Sequence, residues 1–117
     1  MSLSLAKKIA HANDLHDKWM LGAVLVKSGS VISVGLNKTK NNPAYIDFEH
    51  CSVHAEIDAL RKVKSAKGCI MYVARRMKGG GWGMALPCSR CKKELKAAGI
   101  KRAIYTIDNE NYGVWQP

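Results

Sequence analysis

Two short segments carry side chains that can do chemistry together, His54-Ala55-Glu56 and Pro87-Cys88-Ser89-Arg90-Cys91. Each opens a stretch of helical pattern that follows a strand or loop, and that placement decides what the residues can reach. In mid-helix, residues two apart point to opposite sides, so His54 and Glu56 would not share a target. At a helix N-terminus they can. Cys88 and Cys91 stand one turn apart, so their sulfurs can meet a single ion, and the positive end of the helix favours thiolate over thiol. Two thiolates and one imidazole make three ligands for zinc and leave the fourth tetrahedral position to water, which is the arrangement of a catalytic centre. Glu56 is then free to move protons. The competing arrangement is a closed structural site in which His54 with Cys51, or His50, completes the cysteine pair; a water in the fourth position separates the two. Taken singly, His54 reads as a packing or surface histidine and Glu56 as a solvated first-turn acid. Their pairing with the cysteine segment is what gives them a chemical reading.

The elements that must hold these segments follow from periodicity. Leu5, Ala6, Ile9, Ala10 and Asn13 fall on one helical face, which predicts a helix over residues 3–14 with Ser2 or Ser4 as cap. Leu21 to Lys27 and Val31 to Leu36 are β-branched and apolar, and the Ser28-Gly29-Ser30 join between them is hairpin chemistry. Asn37 to Cys51 reads as a long polar loop, a length that suggests a substrate-facing role. Ile57, Leu60 and Val63 predict a helix from His54 to about Ala66, stopped near Gly68. Cys69 to Arg75 reads as a buried strand, Met77 to Leu86 as a glycine-rich loop carrying Trp82, Cys88 to Ala98 as a helix stopped by Gly99, and Arg102 to Ile107 as a final strand. Strands alternating with helices are the signature of a sheet with parallel strands and helices on its faces.

Composition narrows the class. The chain has 117 residues, which suits one domain over 1–117, and no apolar run approaches the roughly 20 residues that would span a bilayer. The first ten residues carry Lys7 and Lys8 without an apolar core or cleavage site, so no secretory signal is visible and a cytoplasmic location is expected. Four cysteines in such a chain suit metal binding or burial better than a disulfide framework. Cys69 reads as a small core residue, and His11 and His16 as surface groups. The net charge is +10, and Arg61 to Arg102 holds thirteen Lys or Arg against the single acid Glu94. Such a stretch suits an anionic partner or simply a solvated surface that keeps a small protein soluble.

His-x-Glu followed by Pro-Cys-x-x-Cys is the signature of zinc nucleobase deaminases. From about Leu21 to Tyr105 the chain resembles the cytidine and deoxycytidylate deaminase superfamily, through Gly22-Ala23-Val24-Leu25-Val26, Gly35-Leu36-Asn37, Val53-His54-Ala55-Glu56 and Pro87-Cys88-Ser89-Arg90-Cys91. It looks most like deoxycytidylate deaminases and small phage-encoded relatives, which share His-Ala-Glu and an asparagine closing the second strand. The resemblance implies a three-layer α/β/α fold around a mixed sheet of about five strands, with Zn2+ held by His54, Cys88 and Cys91. It further implies that Glu56 takes a proton from water for attack on C4 of a cytosine ring, then returns protons to N3 and to the departing amine. The N–H groups of Ala55 and Cys88 would hold the base carbonyl and the attacking oxygen, the carbonyl near Ala85 or Leu86 would receive the amine, and Asn37 would hold the sugar. The stretch after Asn37, Lys38-Thr39-Lys40-Asn41-Asn42, departs from the glycine- and proline-bearing pattern of the allosterically regulated enzymes, so regulation by deoxynucleoside triphosphates is not expected. His50 and Cys51 are candidates for a second zinc, as found nearby in some deoxycytidylate deaminases.

The expected reaction is therefore deoxycytidylate to deoxyuridylate plus ammonia, in a homo-oligomer whose neighbouring subunits complete the sites. The cations flanking the expected pocket are Lys38 and Lys40 after Asn37, and Arg75, Arg76 and Lys78 at the glycine-rich loop; of these Lys38 and Arg76 are the candidates for substrate contact. Trp82 reads either as a base-stacking group or, with Trp115 and Tyr112, as a buried contact at a subunit interface. Alternatives of other classes are a deaminase of free base or nucleoside, an editing enzyme acting on tRNA adenosine or single-stranded polynucleotide, and a non-catalytic zinc module that binds nucleic acid. Only about ten residues follow the last expected strand, too few for the carboxy-terminal helix of tRNA-acting relatives. The retained Glu56 argues against the non-catalytic module.

Overall fold

A computed structural model describes residues 2–12, 20–36, 38–39, 52–77 and 81–117. Helix α1 (Ser2–Ala12) precedes the hairpin of β1 (Met20–Lys27) and β2 (Ser30–Leu36). Lys27 pairs with Ser30, and the two residues between them, Ser28 and Gly29, both have positive φ, the two-residue turn whose twist matches that of the strands. The short strands β3 (Lys38–Thr39) and β4 (Ser52–Val53) pair antiparallel and bring together the two ends of the long polar segment. Helix α2 (Ala55–Leu60), β5 (Ile70–Arg76), β6 (Trp82–Gly83), α3 (Ser89–Ala97), β7 (Arg102–Thr106) and β8 (Tyr112–Trp115) complete the order.

The main sheet runs β2-β1-β5-β7-β8, with β6 paired to the end of β5. β1 lies antiparallel between β2 and β5, so those two run the same way, and β7 joins β5 in parallel. Period-two alternation in the central strands then builds two cores. Ala23, Leu25, Met71, Val73 and Ala103 face Ala55 and Ala59 of α2 and Leu95 of α3. Val24, Val26 and Ala74 face Ala6 and Ala10 of α1. A strand apolar on both sides must be covered on both sides, and the result is the expected three layers, α1 over one face and α2 with α3 over the other. Among the described residues, no helix is long and apolar enough to cross a membrane.

Two differences from the sequence reading have physical causes. The second helix ends at Leu60 rather than near Ala66, because the next turns tighten to i→i+3 bonds, Lys62 N–H to the Ala59 carbonyl and Val63 N–H to the Leu60 carbonyl. The Ile57, Leu60, Val63 spacing serves either geometry. The sequence reading does not include strands β3, β4, β6 and β8, the first of them inside the stretch read as a polar loop; each has four residues or fewer, too short to show alternation.

α2 lies directly on the backbone of β2 at Gly35, where a Cβ would stand 2.6 Å from the Ala59 nitrogen and collide with the Ala55 carbonyl oxygen. The same helix is stitched to β2 by Ser33 Oγ donating to the Ala59 carbonyl at 2.8 Å and by Leu36 N–H donating to Asp58 Oδ2 at 3.1 Å. Asp58 is fully buried and also pairs with Arg61 and Lys62 at 3.1 Å each. Gly35→Ala is expected to push α2 off the sheet and cost about 1–3 kcal/mol, the range for overpacking. A thermal midpoint several degrees below that of the parent chain, measured by calorimetry, checks it.

Candidate active site

Both chemical segments occupy helix N-caps. His54 is the N-cap of α2 with extended backbone (φ −71, ψ 149), and its carbonyl accepts from Asp58 N–H at 2.9 Å. Its side chain does not cap its own helix. Cys88 is the N-cap of α3 (φ −68, ψ 170), where its Sγ accepts from Cys91 N–H at 3.5 Å. The two caps differ: Cys88 Sγ bonds back to the first turn of α3, whereas the His54 ring makes no capping bond to its own helix and is left to reach the other segment.

The two caps meet. His54 Nδ1 lies 3.1 Å from Cys91 Sγ and 3.5 Å from Cys88 Sγ, and the three donor atoms all fall within 4.8 Å of one another. Zinc bonds of about 2.3 Å to sulfur and 2.0–2.1 Å to nitrogen, set at the tetrahedral angle, place neighbouring ligand atoms roughly 3.5–3.8 Å apart. One of the two nitrogen–sulfur distances, 3.5 Å, has that value and the other, 3.1 Å, is shorter, and the donor set is the nitrogen and sulfur that zinc prefers, so the residues fit the ion with a small adjustment. Cys91 is buried, His54 half-buried and Cys88 exposed, so the cluster opens to solvent on the Cys88 side.

Glu56 stands in the first turn of α2 and is only 3% exposed. Burial raises its carboxyl above the ordinary range, while a backbone N–H and the contact with Cys91 pull in the other direction. The Cys91 thiol is also pushed up, first by burial and then by the neighbouring charges of Glu56 and Cys88. Several acidic groups packed in a dry volume hold their protons until a cation takes their place, and a bound divalent ion inverts that order.

The other expected site residues separate into those the chain brings to this end of the molecule and those it does not. Ala55 is buried at the start of α2. Ala85 is buried in the core beneath α2 and α3, with its N–H on the Thr106 carbonyl at 2.8 Å, and Leu86 beside it is exposed. Trp82 and Arg76 are not brought to the metal cluster. Trp82 packs with the residues under α1, its ring beneath Lys7 Nζ at 5.4 Å, and Arg76 is its direct partner across the β5–β6 ladder. Alternation explains both, because Arg76 shares its side of β5 with Ala74 and Tyr72 of the α1 core. Trp115 packs against the core beneath α2 and α3 and lies under Lys92 Nζ at 5.8 Å, whereas Tyr112 is 63% exposed. Cys69 is a buried core residue, as expected. Lys38 is described only as part of β3, and Asn37, Lys40, His50, Cys51 and Lys78 lie outside the described residues, as does His16.

Thr106 escaped the sequence reading. Its Oγ1 accepts from Arg75 N–H at 3.1 Å and donates to the Gly83 carbonyl at 2.7 Å, while its carbonyl receives Ala85 N–H. This buried residue thus fixes the path of the chain from β6 to Cys88. The sequence carries no signal for it, since a threonine ending a strand is ordinary. Asp58 was missed as well, although its spacing to Arg61 and Lys62 is that of helical ion pairs.

No curated protein matches this sequence. Among solved structures, the fold is similar to that of a deoxycytidylate (dCMP) deaminase from the cyanophage S-TIM5. The apo form matches with a TM-score of 0.67 and 23% identity over 93% of this chain and 82% of that one. The form in complex with dCMP and dUMP matches with a TM-score of 0.64 and 23% identity over 88% and 76%. Acinetobacter baumannii RibD, form 2, is similar with a TM-score of 0.50 and 21% identity over 91% of this chain but only 26% of that longer one. The family model for the cytidine and deoxycytidylate deaminase zinc-binding region matches residues 1–107, a span that contains every residue of the cluster, and the chain belongs to that family.

Proposed function

We propose that the chain hydrolyses the exocyclic amine of deoxycytidylate, giving deoxyuridylate and ammonia. The observation that carries this reading is Glu56, buried beside a three-donor cluster of His54, Cys88 and Cys91. Three protein donors suit a catalytic zinc, and a carboxyl group of raised pKa beside them suits a proton carrier. The phage enzyme whose structure holds dCMP and dUMP supports a cytosine nucleotide over other amines. When bound, zinc supplies Lewis-acid activation of water near neutral pH. Glu56 takes a proton from the attacking water and delivers it to ring N3 as the oxygen bonds to C4. It then carries the second proton to the amine, which leaves as ammonia when the C4–N bond breaks. The N–H groups of Ala55 and Cys88 hold the base carbonyl and the attacking oxygen, the carbonyl of Ala85 or Leu86 receives the amine, and Asn37 holds the sugar.

The same reading takes the chain as one domain working in the cytoplasm as a homo-oligomer. A domain of 117 residues leaves much of its surface exposed, and relatives complete their sites with neighbouring subunits. A species larger than the monomer at micromolar concentration in sedimentation equilibrium is the expected result.

The roles at the metal separate by variant. Glu56→Gln should keep about one zinc per chain, read by atomic absorption, and lose nearly all turnover, because the carboxylate moves protons and binds no metal. Cys88→Ala or Cys91→Ala should lose zinc and stability together. Full zinc in the cysteine variants, or lost zinc in Glu56→Gln, contradicts the assignment.

Deoxycytidylate should react with a kcat/KM roughly tenfold or more above that of deoxycytidine, since a charge-assisted hydrogen bond to the phosphate is worth about 1.5–3 kcal/mol and 1.4 kcal/mol is already tenfold. Steady-state kinetics at low and high salt should show the preference shrinking as salt rises. Equal efficiency on both substrates at every salt concentration points instead to a nucleoside or polynucleotide enzyme.

A further inference from the structure

β2, β5 and β7 all run in one direction, so their carboxyl ends lie at one end of the sheet. Both helices on the metal face begin there. Ser33 and Val34 of β2 bond to Ala59 and Lys62, whereas Gly35, closer to the strand's end, meets Ala55, so α2 starts at that end. The far end of α3 is tied to the opposite side of the sheet, where Gly68 N–H donates to the Gly99 carbonyl and Lys101 N–H to the Cys69 carbonyl. The crevice beyond the carboxyl ends of such strands is where ligands of α/β sheets sit.

Arg75 is the cation of the sheet at this crevice. It is the last residue but one of β5 and pairs across the ladder with Leu21 on one side and Gly83 on the other. Leu21 packs into the core beneath α2 and α3, and Met71 and Val73 share that face of β5, so Arg75 lies on the face that carries the metal cluster. Gly83 presents no side chain beside it, and Thr106 Oγ1 anchors the Arg75 N–H at 3.1 Å, so the guanidinium extends from a fixed backbone. Arg75 is half-buried, where a charge is screened less than on an open helix. Five other described cations are placed elsewhere. Arg76 and Lys7 belong to the α1 side, Arg61 and Lys62 pair with Asp58, and Lys92 lies over Trp115.

We propose that Arg75 is the specificity-determining residue of the site, receiving the 5′-phosphate of the nucleotide whose base is deaminated at the metal cluster. The inference rests on the deaminase reading above. A guanidinium can engage two phosphate oxygens at once, whereas an ammonium offers a point charge.

The test measures the ratio of kcat/KM for deoxycytidylate to that for deoxycytidine in the zinc-loaded parent, Arg75→Gln, Arg75→Lys and Arg90→Gln. Arg90 is the competing cation, exposed in the first turn of α3. Arg75→Gln should lower the ratio at least tenfold, mainly through a higher KM for the nucleotide, and Arg75→Lys should recover part of it. A parent ratio near one refutes the nucleotide reading itself. A high parent ratio that survives Arg75→Gln, or that falls in Arg90→Gln instead, overturns the assignment to Arg75. So does an equal loss on both substrates in the two Arg75 variants, because a structural role makes no distinction between a phosphate and a hydroxyl.

Discussion

The constraint on which this molecule depends is the meeting of two helix N-caps at one end of a mixed sheet. An N-cap residue has left the helix but not yet joined the loop, so its side chain can turn outward while its carbonyl starts the helix. His54 and Cys88 both hold that position, and they bring Nδ1 and Sγ to 3.5 Å across two elements separated by more than thirty residues of chain. Everything else serves that approach. Gly35 lets α2 press onto β2, Asp58 and Ser33 lock it there, and Thr106 steers the chain that enters α3. The helix termini also present their free N–H groups and positive dipole ends to the same small volume, which suits a site that must stabilise oxyanions and thiolates together.

The electrostatic cost of this arrangement is visible in the protein alone. Glu56 and Cys91 are buried next to each other; burial makes ionisation of each harder, and the charge of Glu56 raises the Cys91 thiol further. A cation in the cluster reverses the balance for the sulfurs, and the carboxyl group of Glu56 is not among the three donors. The three donors and the buried carboxyl group are thus separate groups in one small volume, with His54 and Glu56 only two residues apart at the start of α2.

The metal set was legible in the sequence because its logic is local. Two residues in one segment, two in the other, and the helical pattern that follows each are enough to place four side chains at helix starts, and the apolar run Ala23-Val24-Leu25-Val26 marks a strand, which the structure covers on both faces. One placement turned on a single residue. Arg75 and Arg76 look equivalent in a basic run, yet strand parity sends them to opposite faces, and parity can be counted only from a register that the sequence does not print. Trp82 was unreadable for the same reason, since its side was set by pairing with Arg76 in a two-residue strand too short to show a pattern. Thr106 and Asp58 act through backbone groups of distant segments, Gly83, Ala85 and Arg75 for one and Leu36 for the other, and no periodicity encodes such contacts.

The β5–β6 hairpin is fastened at both of its feet. Met77 N–H closes on the Gly81 carbonyl at 2.9 Å, Trp82 N–H is held by Asn109 Oδ1 at 2.7 Å, and Thr106 grips Gly83 and Ala85 before the chain reaches Cys88. These bonds fix the described ends of the hairpin and the path from Gly83 to Ala85 ahead of Cys88. The chain that enters the metal site is therefore held by Asn109 and Thr106, residues that follow α3, so its path is fixed from the carboxyl-terminal part of the sequence.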